Sequence, residues 1–367
     1  MAFIIALSIL LLLGVLQAAV PYLIKRTVVF GVTIPEQHIR DSRVVSYKKQ
    51  YLIITSFMSL LFIGGFCFWV MLRNPSEDLL FLVSTIIEFA IIFISLALYF
   101  YFHQQTKSYK AESDWSEQLK QVGVVDLSVR TEDHLAPWYI YLFPMIVTIG
   151  LIGYTILQYD LLPDQIPTHW GVSGEPDAFT DKTPFTAIQL PIFLLLLQFM
   201  FIGIQFGMKF SGIKLSATNL QASKQRQLTL RKSTSWFSFF TVLLLTMLFA
   251  YFQLTTIHPE MIQNSLMKII LPSGTLILIL VGTIILVLKV GLSDKKTKQV
   301  AVEDSIMDLD DDRYWKAGLF YFNKNDPSIF VEKRFGIGWT INFANPIGYL
   351  IIFGPLIIIL LITYVLN

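Results

Sequence analysis

A chain of 367 residues with 54% hydrophobic and only 15% charged side chains cannot cover itself with polar surface, since an ordinary soluble domain is roughly a quarter charged. A formal net charge of +2 excludes the strong basic field with which nucleic-acid binders hold their ligand. The single cysteine, Cys67, excludes an intramolecular disulfide and a cysteine-built zinc site, and its place in an apolar run marks a small buried residue.

A helix needs roughly 20 residues to cross a hydrocarbon core of about 30 Å. Eight apolar runs reach that length, at 2–24, 52–72, 79–102, 137–157, 185–208, 236–257, 269–288 and 346–366. The first has no basic leader and exceeds the roughly 7–15 apolar residues of a signal peptide, so it is expected to be a retained helix. In the loop that follows, Val28, Phe30, Val32 and Ile34 alternate up to Pro35, which predicts one half-buried strand. The third run carries Glu88; an ionisable group within the bilayer costs on the order of 3 kcal/mol and marks a functional hypothesis. Gln198 and Gln205 share a face of the fifth run, as Thr246 and Gln253 do in the sixth, which is the usual form of interhelical polar packing.

Between the fourth and fifth runs, the loop 158–184 holds five acids, Asp160, Asp164, Glu175, Asp177 and Asp181, against one base, Lys182. Its prolines and glycines restrict and shape the backbone. Pro167, His169, Trp170, Glu175, Asp177, Phe179 and Lys182 make it a candidate recognition surface. The stretch 293–312 places three lysines before Glu303, Asp304, Asp308, Asp310, Asp311 and Asp312. With no EF-hand glycine it reads as a solvated acidic linker. Beyond it, Asn323–Pro327 is predicted to turn a hairpin between 320–322 and 329–331, and Ile337, Trp339, Ile341 and Phe343 alternate as a further strand. A β module so small is expected to pack on the membrane region, with the strand of loop 25–51 joining it.

The loops 25–51, 103–136, 209–235 and 289–345 hold six, four, six and nine Lys or Arg, which is 25 of 28; Arg73, Lys182 and Lys268 lie on the opposite side. Because cytoplasmic loops retain the basic residues, those four loops are expected in the cytoplasm and both termini outside. The predicted fold class is an all-α polytopic membrane protein of about eight helices with a small cytoplasmic β module. Its expected parts are a three-helix region over 1–136, a two-helix domain over 137–210 around loop 158–184, and two helices over 211–292. The linker 293–312, the β module 313–345 and a last helix in 346–367 complete it.

The pattern Leu162-Pro163-x-x-Ile166-Pro167-x-His169-Trp170, followed by Gly174-Glu175-x-Asp177, Phe179 and Lys182, resembles the signature of a bacterial membrane domain of unknown function shared with the SdpI-type toxin-immunity and signalling proteins. The likeness spans 144–206. A second likeness, over 314–346 through Trp315, Gly318, Tyr321, Asn323, Asp326-Pro327, Lys333-Arg334, Gly336 and Gly338-Trp339-Thr340, is to a short C-terminal module found on some relatives. The first implies a bacterial plasma-membrane protein whose exterior loop engages a peptide toxin or envelope ligand, and whose cytoplasmic face engages a regulator protein. No cofactor and no direct nucleic-acid partner is implied. Two alternatives from other classes stand beside it. One is a secondary transporter using Glu88. The other is a metal-dependent envelope enzyme in which His169, Glu175 and Asp177 hold the ion, although no second histidine lies at ligand spacing.

Overall fold

The computed structural model describes residues 2–113, 115, 120–124, 129, 132, 134–171, 175–261, 265–293 and 306–366. Among these, eight helices are long and apolar enough to cross a membrane. They are α1 (Ala2–Leu23), α2 (Ser42–Arg73), α3 (Glu77–Glu112), α4 (Leu142–Leu157), α5 (Pro184–Phe210), α6 (Leu220–Ile257), α7 (Ser265–Gly291) and α8 (Pro346–Leu366). Large apolar side chains such as Phe57, Leu60, Phe93, Ile146 and Leu360 point outward, as a bundle surrounded by lipid requires. The chain is an all-α multi-pass membrane protein.

Local signals set the helix ends. Asp41 accepts the Arg43 amide at 2.8 Å to start α2, and Asn74 closes it in the left-handed region at φ 40°. Thr183 and Thr186 form a reciprocal capping box at the start of α5, with Pro184 in the first turn. Helices α2, α3 and α6 outrun their apolar stretches and project from one end of the bundle, the end that carries most of the lysines and arginines. We call this the basic end.

Two bundles stand side by side. Helices α1, α2 and α3 pack on one another, α4, α5 and α6 form a second group, α7 leans on α6 and α1, and α8 on α5. At the basic end the C-terminal β module ties them together. Tyr99 of α3 meets Phe335 with ring centroids 4.2 Å apart, and Phe30 packs on Tyr51 at 5.3 Å and Phe102 at 5.2 Å. On the other bundle, the amide of Phe330 donates to Ser211 Oγ at 2.9 Å, and the Phe330 ring lies against Gly207, where any Cβ would clash. The buried Arg226 of α6 donates to carbonyls in the last turns of α1 and α7, at Leu23 and Val290, and pairs with Glu332 at 2.9 Å. One guanidinium thus ties two helix ends together and gives the Leu23 carbonyl, at the end of α1, a donor.

Three expectations are corrected here. Residues 28–34 form not one strand but two, β1 (Val28–Val29) and β2 (Val32–Thr33), turned at Phe30 and Gly31 with φ of 44° and 78°. Both faces are buried, so the alternation was not amphipathic, and Gly31 makes the turn accessible. Its Cα sits against Gly318, too close for a Cβ on either; the hairpin docks on the module by this contact rather than by joining a sheet. Next, Asn323–Pro327 does not connect paired strands. β8 (Phe320–Tyr321) pairs with β7 (Trp315–Lys316), and β9 (Phe330–Glu332) with β10 (Trp339–Ile341). The buried Asn342 amide holds the 323–327 loop instead, donating to the carbonyls of Asn323 and Asp326 at 2.9 Å each.

Finally, the acidic stretch is not a solvated linker at its C-terminal end. In β6 (Ile306–Asp308), which pairs in parallel with β3 (Lys120–Val122), Asp308 is 8% exposed and accepts from the Ser216 hydroxyl at 2.8 Å and the Ala217 amide at 2.7 Å. Lys110 bridges Asp310 and Asp312 at 2.5 and 2.8 Å, and Arg334 pairs with Asp311 and Asp312. Burial pushes both aspartates up, but Arg334 and the nearby lysines outweigh it, holding Asp311 below the ordinary carboxylate range and Asp312 at about 2. Glu303 and Asp304 lie outside the described residues.

Candidate functional site

At the end opposite the basic one, the connection between α4 and α5 is a β-hairpin of β4 (Gln165–Trp170) and β5 (Pro176–Asp181). Prolines 167 and 176 sit in these strands without cost because both strands are edges. The register slips between Pro167 and His169 and again between His169 and Trp170, and such bulges re-aim the side chains beside them. Leu162 and Ile166 pack on Ala187 and Ile257, so the hairpin is seated on the ends of α5 and α6.

The structure separates the candidate residues into four groups. Lys182 is a brace: its Nζ donates to the Leu162 carbonyl at 2.8 Å and lies 4.8 Å over the Tyr159 ring. Glu175 turns to Lys268 of α7 at 2.7 Å. His169 Nδ1 and Asp177 Oδ1 meet at 2.5 Å on the exposed side, where Phe179, paired with Pro167, is also exposed. Among the described residues no three His, Cys, Asp or Glu side chains converge on a point that could hold a metal.

Trp170 faces inward. Its ring stacks on Phe252 of α6 with centroids 4.4 Å apart and planes 16° from parallel. Beneath it lies a cavity of about 610 Å³, roofed by Thr168, His169, Trp170 and Gly171. Ile5 of α1 and Phe81 of α3 form one wall. Leu190 and Phe193 of α5, Phe249 and Phe252 of α6, Pro272 and Ser273 of α7, and Ile359 of α8 form the others. The lining is mostly apolar and comes from both bundles, a volume and character suited to an apolar ligand. None of these helical residues was singled out from sequence; Pro272 beside Ser273, a bend signal within an apolar run, was the one available hint.

The intramembrane polar residues fall elsewhere. Gln198 donates to Thr148 at 2.8 Å, Thr246 at 3.0 Å and the Pro144 carbonyl at 3.2 Å, Gln205 to the Ala136 carbonyl, and Gln253 to Thr155 at 3.2 Å. These bonds join α4, α5 and α6. Glu88 sits in the other bundle, half-buried on the α3 face that also carries Ser84 and Ser95, and makes no hydrogen bond or ion pair among the described residues.

Residues 146–195, which comprise most of α4, the whole hairpin and the first half of α5, match a domain of unknown function (DUF1648). Residues 324–349 match a family of unknown function (DUF5808); these span β9, β10 and the start of α8. No curated protein and no solved structure matches the chain.

Proposed function

We propose that this chain is a non-enzymatic receptor of the immunity and signalling type in a bacterial plasma membrane, with the β4–β5 hairpin and both termini outside. The hairpin and the cavity beneath it take an apolar peptide or envelope ligand, and the module at the cytoplasmic, basic end meets a regulator. The observation that carries this reading is the cavity, apolar and roofed by the signature residues of the hairpin. The resemblance of that segment to SdpI-type proteins supports the peptide-toxin class of ligand. Because Ile5 and Phe81 come from one bundle and Leu190, Phe193 and Phe252 from the other, an occupant acts on their separation. The module clamps the same two bundles at the far end, so a ligand that favours one spacing biases the module as well.

The test is protection. Sensitive cells expressing the chain should survive a membrane-active toxin peptide of the sporulation-delay class, and Ser273→Trp, which fills the cavity from α7, should abolish survival at unchanged membrane abundance. Equal protection by the filled variant would remove the cavity from the reading. Orientation is checked separately, in a Cys67→Ala background. A cysteine at the exposed Asp164 should react with an impermeant thiol reagent in intact cells, and one at the exposed Gln221 only after lysis. The reverse order would turn the hairpin inward and sink the receptor assignment.

A further inference from the structure

A second recess, far from the hairpin, opens at the basic end where the residues leading into α4 pass the C-terminal end of α5. Its volume is about 580 Å³, and Trp138, Phe206 and Phe210 wall it. Trp138 and its neighbour Tyr139 are 45% and 59% exposed, the placement of aromatic anchors at headgroup depth. Lys209 lines the recess at its exposed rim, and Arg231, 1% exposed and 5.8 Å over the Trp339 ring, lies at its base; among the described residues no acid lines it. Lys209 makes no hydrogen bond or ion pair among the described residues. The third polar side chain is Gln205, 4% exposed. Its amide nitrogen donates to the Ala136 carbonyl, while its carbonyl oxygen has no partner. A buried acceptor left without a donor is costly, and here it belongs to a residue that lines an open recess.

We propose that this recess binds the headgroup of an anionic phospholipid, phosphatidylglycerol being the chemistry that fits best. Lys209 takes the phosphate, as basic residues at pockets between transmembrane helices do. The Gln205 carbonyl accepts from a headgroup hydroxyl, which a choline headgroup lacks. The acyl chains follow the exposed apolar faces of Phe143, Ile146 and Phe199 on α4 and α5, a path that a water-soluble phosphate ester cannot use. This site is separate from the hairpin cavity, and its occupancy is measured without reference to toxin response.

The experiment uses the full-length chain in a neutral detergent, followed by native mass spectrometry and thermal denaturation. Phosphatidylglycerol, phosphatidylcholine of the same chain length and glycerol 3-phosphate are the probes. Phosphatidylglycerol is expected to give a retained adduct and a higher Tm, and the other two neither. Lys209→Gln, on an exposed side chain, should weaken phosphatidylglycerol binding about fivefold, Lys209→Arg should restore it, and Lys107→Gln, a matched exposed lysine of α3, should leave it unchanged. Equal stabilisation by phosphatidylcholine, or an equal loss with Lys107→Gln, would overturn the site in favour of unspecific lipid attraction. Equal stabilisation by glycerol 3-phosphate would make it a phosphate-ester site rather than a lipid one.

Discussion

Replacing Arg334 with alanine is expected to release the C-terminal module from the helix ends. The guanidinium is buried and donates to the Gly31 carbonyl at 2.6 Å and to Thr33 Oγ1 at 3.0 Å, besides its pairs with Asp311 and Asp312. Its loss leaves two partly buried carboxylates short of their main counter-charge, and breaking such a pair costs roughly 3–5 kcal/mol. Lysine should not rescue, because one ammonium cannot reproduce a fork that serves four acceptors. The measurement is thermal denaturation of the purified protein together with hydrogen exchange over 312–343. An unchanged Tm with unchanged exchange would show that the aromatic contacts alone hold the module.

The same network sets a pH dependence of known sign. Asp312 titrates at about 2 in the folded chain against about 3.9 when unfolded. The unfolded state therefore binds more protons in that interval, and stability rises with pH through it. The contribution, on the order of 2 kcal/mol, is complete above about pH 4–5 and disappears as pH falls through about 2. Arg334→Ala should flatten this acid limb as well as lower the plateau.

The other large effect is expected at Trp170, where alanine should weaken response to the toxin peptide by at least about thirtyfold, the equivalent of roughly 2 kcal/mol at an aromatic contact residue. Two losses combine. The stack on Phe252 disappears, worth about 0.5–1.5 kcal/mol beyond area burial, and the hairpin loses its fastening above the cavity. His169→Gln should change the response by less than about threefold, since the ring meets Asp177 on the open side and a neutral amide can keep that contact. Dose–response of cells carrying each variant, with membrane abundance measured in parallel, separates the two residues. Should His169→Gln be the more damaging, the polar His169 side of the roof, and not the Trp170 stack, would be the main ligand contact. A Trp170→Ala protein that fails to accumulate would instead identify the ring as a structural fastening, and Phe252→Leu, which keeps apolar volume while removing the stack, then tests the contact alone.

How far the sequence reached depended on the range of the interactions. The eight spans were legible because desolvation in a bilayer acts residue by residue, so length and hydropathy suffice; Pro346 and Leu366, for example, bound both the predicted run and α8. The segregation of 25 of 28 basic residues into alternate loops was legible for the same reason. The signature segment was also visible, as a shaped loop around Trp170 rather than as the bulged hairpin it forms, because alternation broken by two register slips has no fixed period. Pairing inside the β module was misjudged at Asn323–Pro327, where a turn-like composition serves a loop held by Asn342 from another strand.

Only the tertiary structure decided which charges are buried and what lies under the hairpin. Asp308, Asp311 and Asp312 look like linker acids in one dimension, and become ion-pair partners only when chain positions as distant as Lys25, Lys110 and Arg334 arrive beside them. The helical walls of the cavity carry no signature beyond the Pro272 bend: Ile5, Phe81, Phe252 and Ile359 are ordinary apolar residues of ordinary spans. Hydropathy fixes that each of them is in the membrane, whereas a void is a property of how helices from two bundles fail to meet, and that depends on every contact that holds them apart.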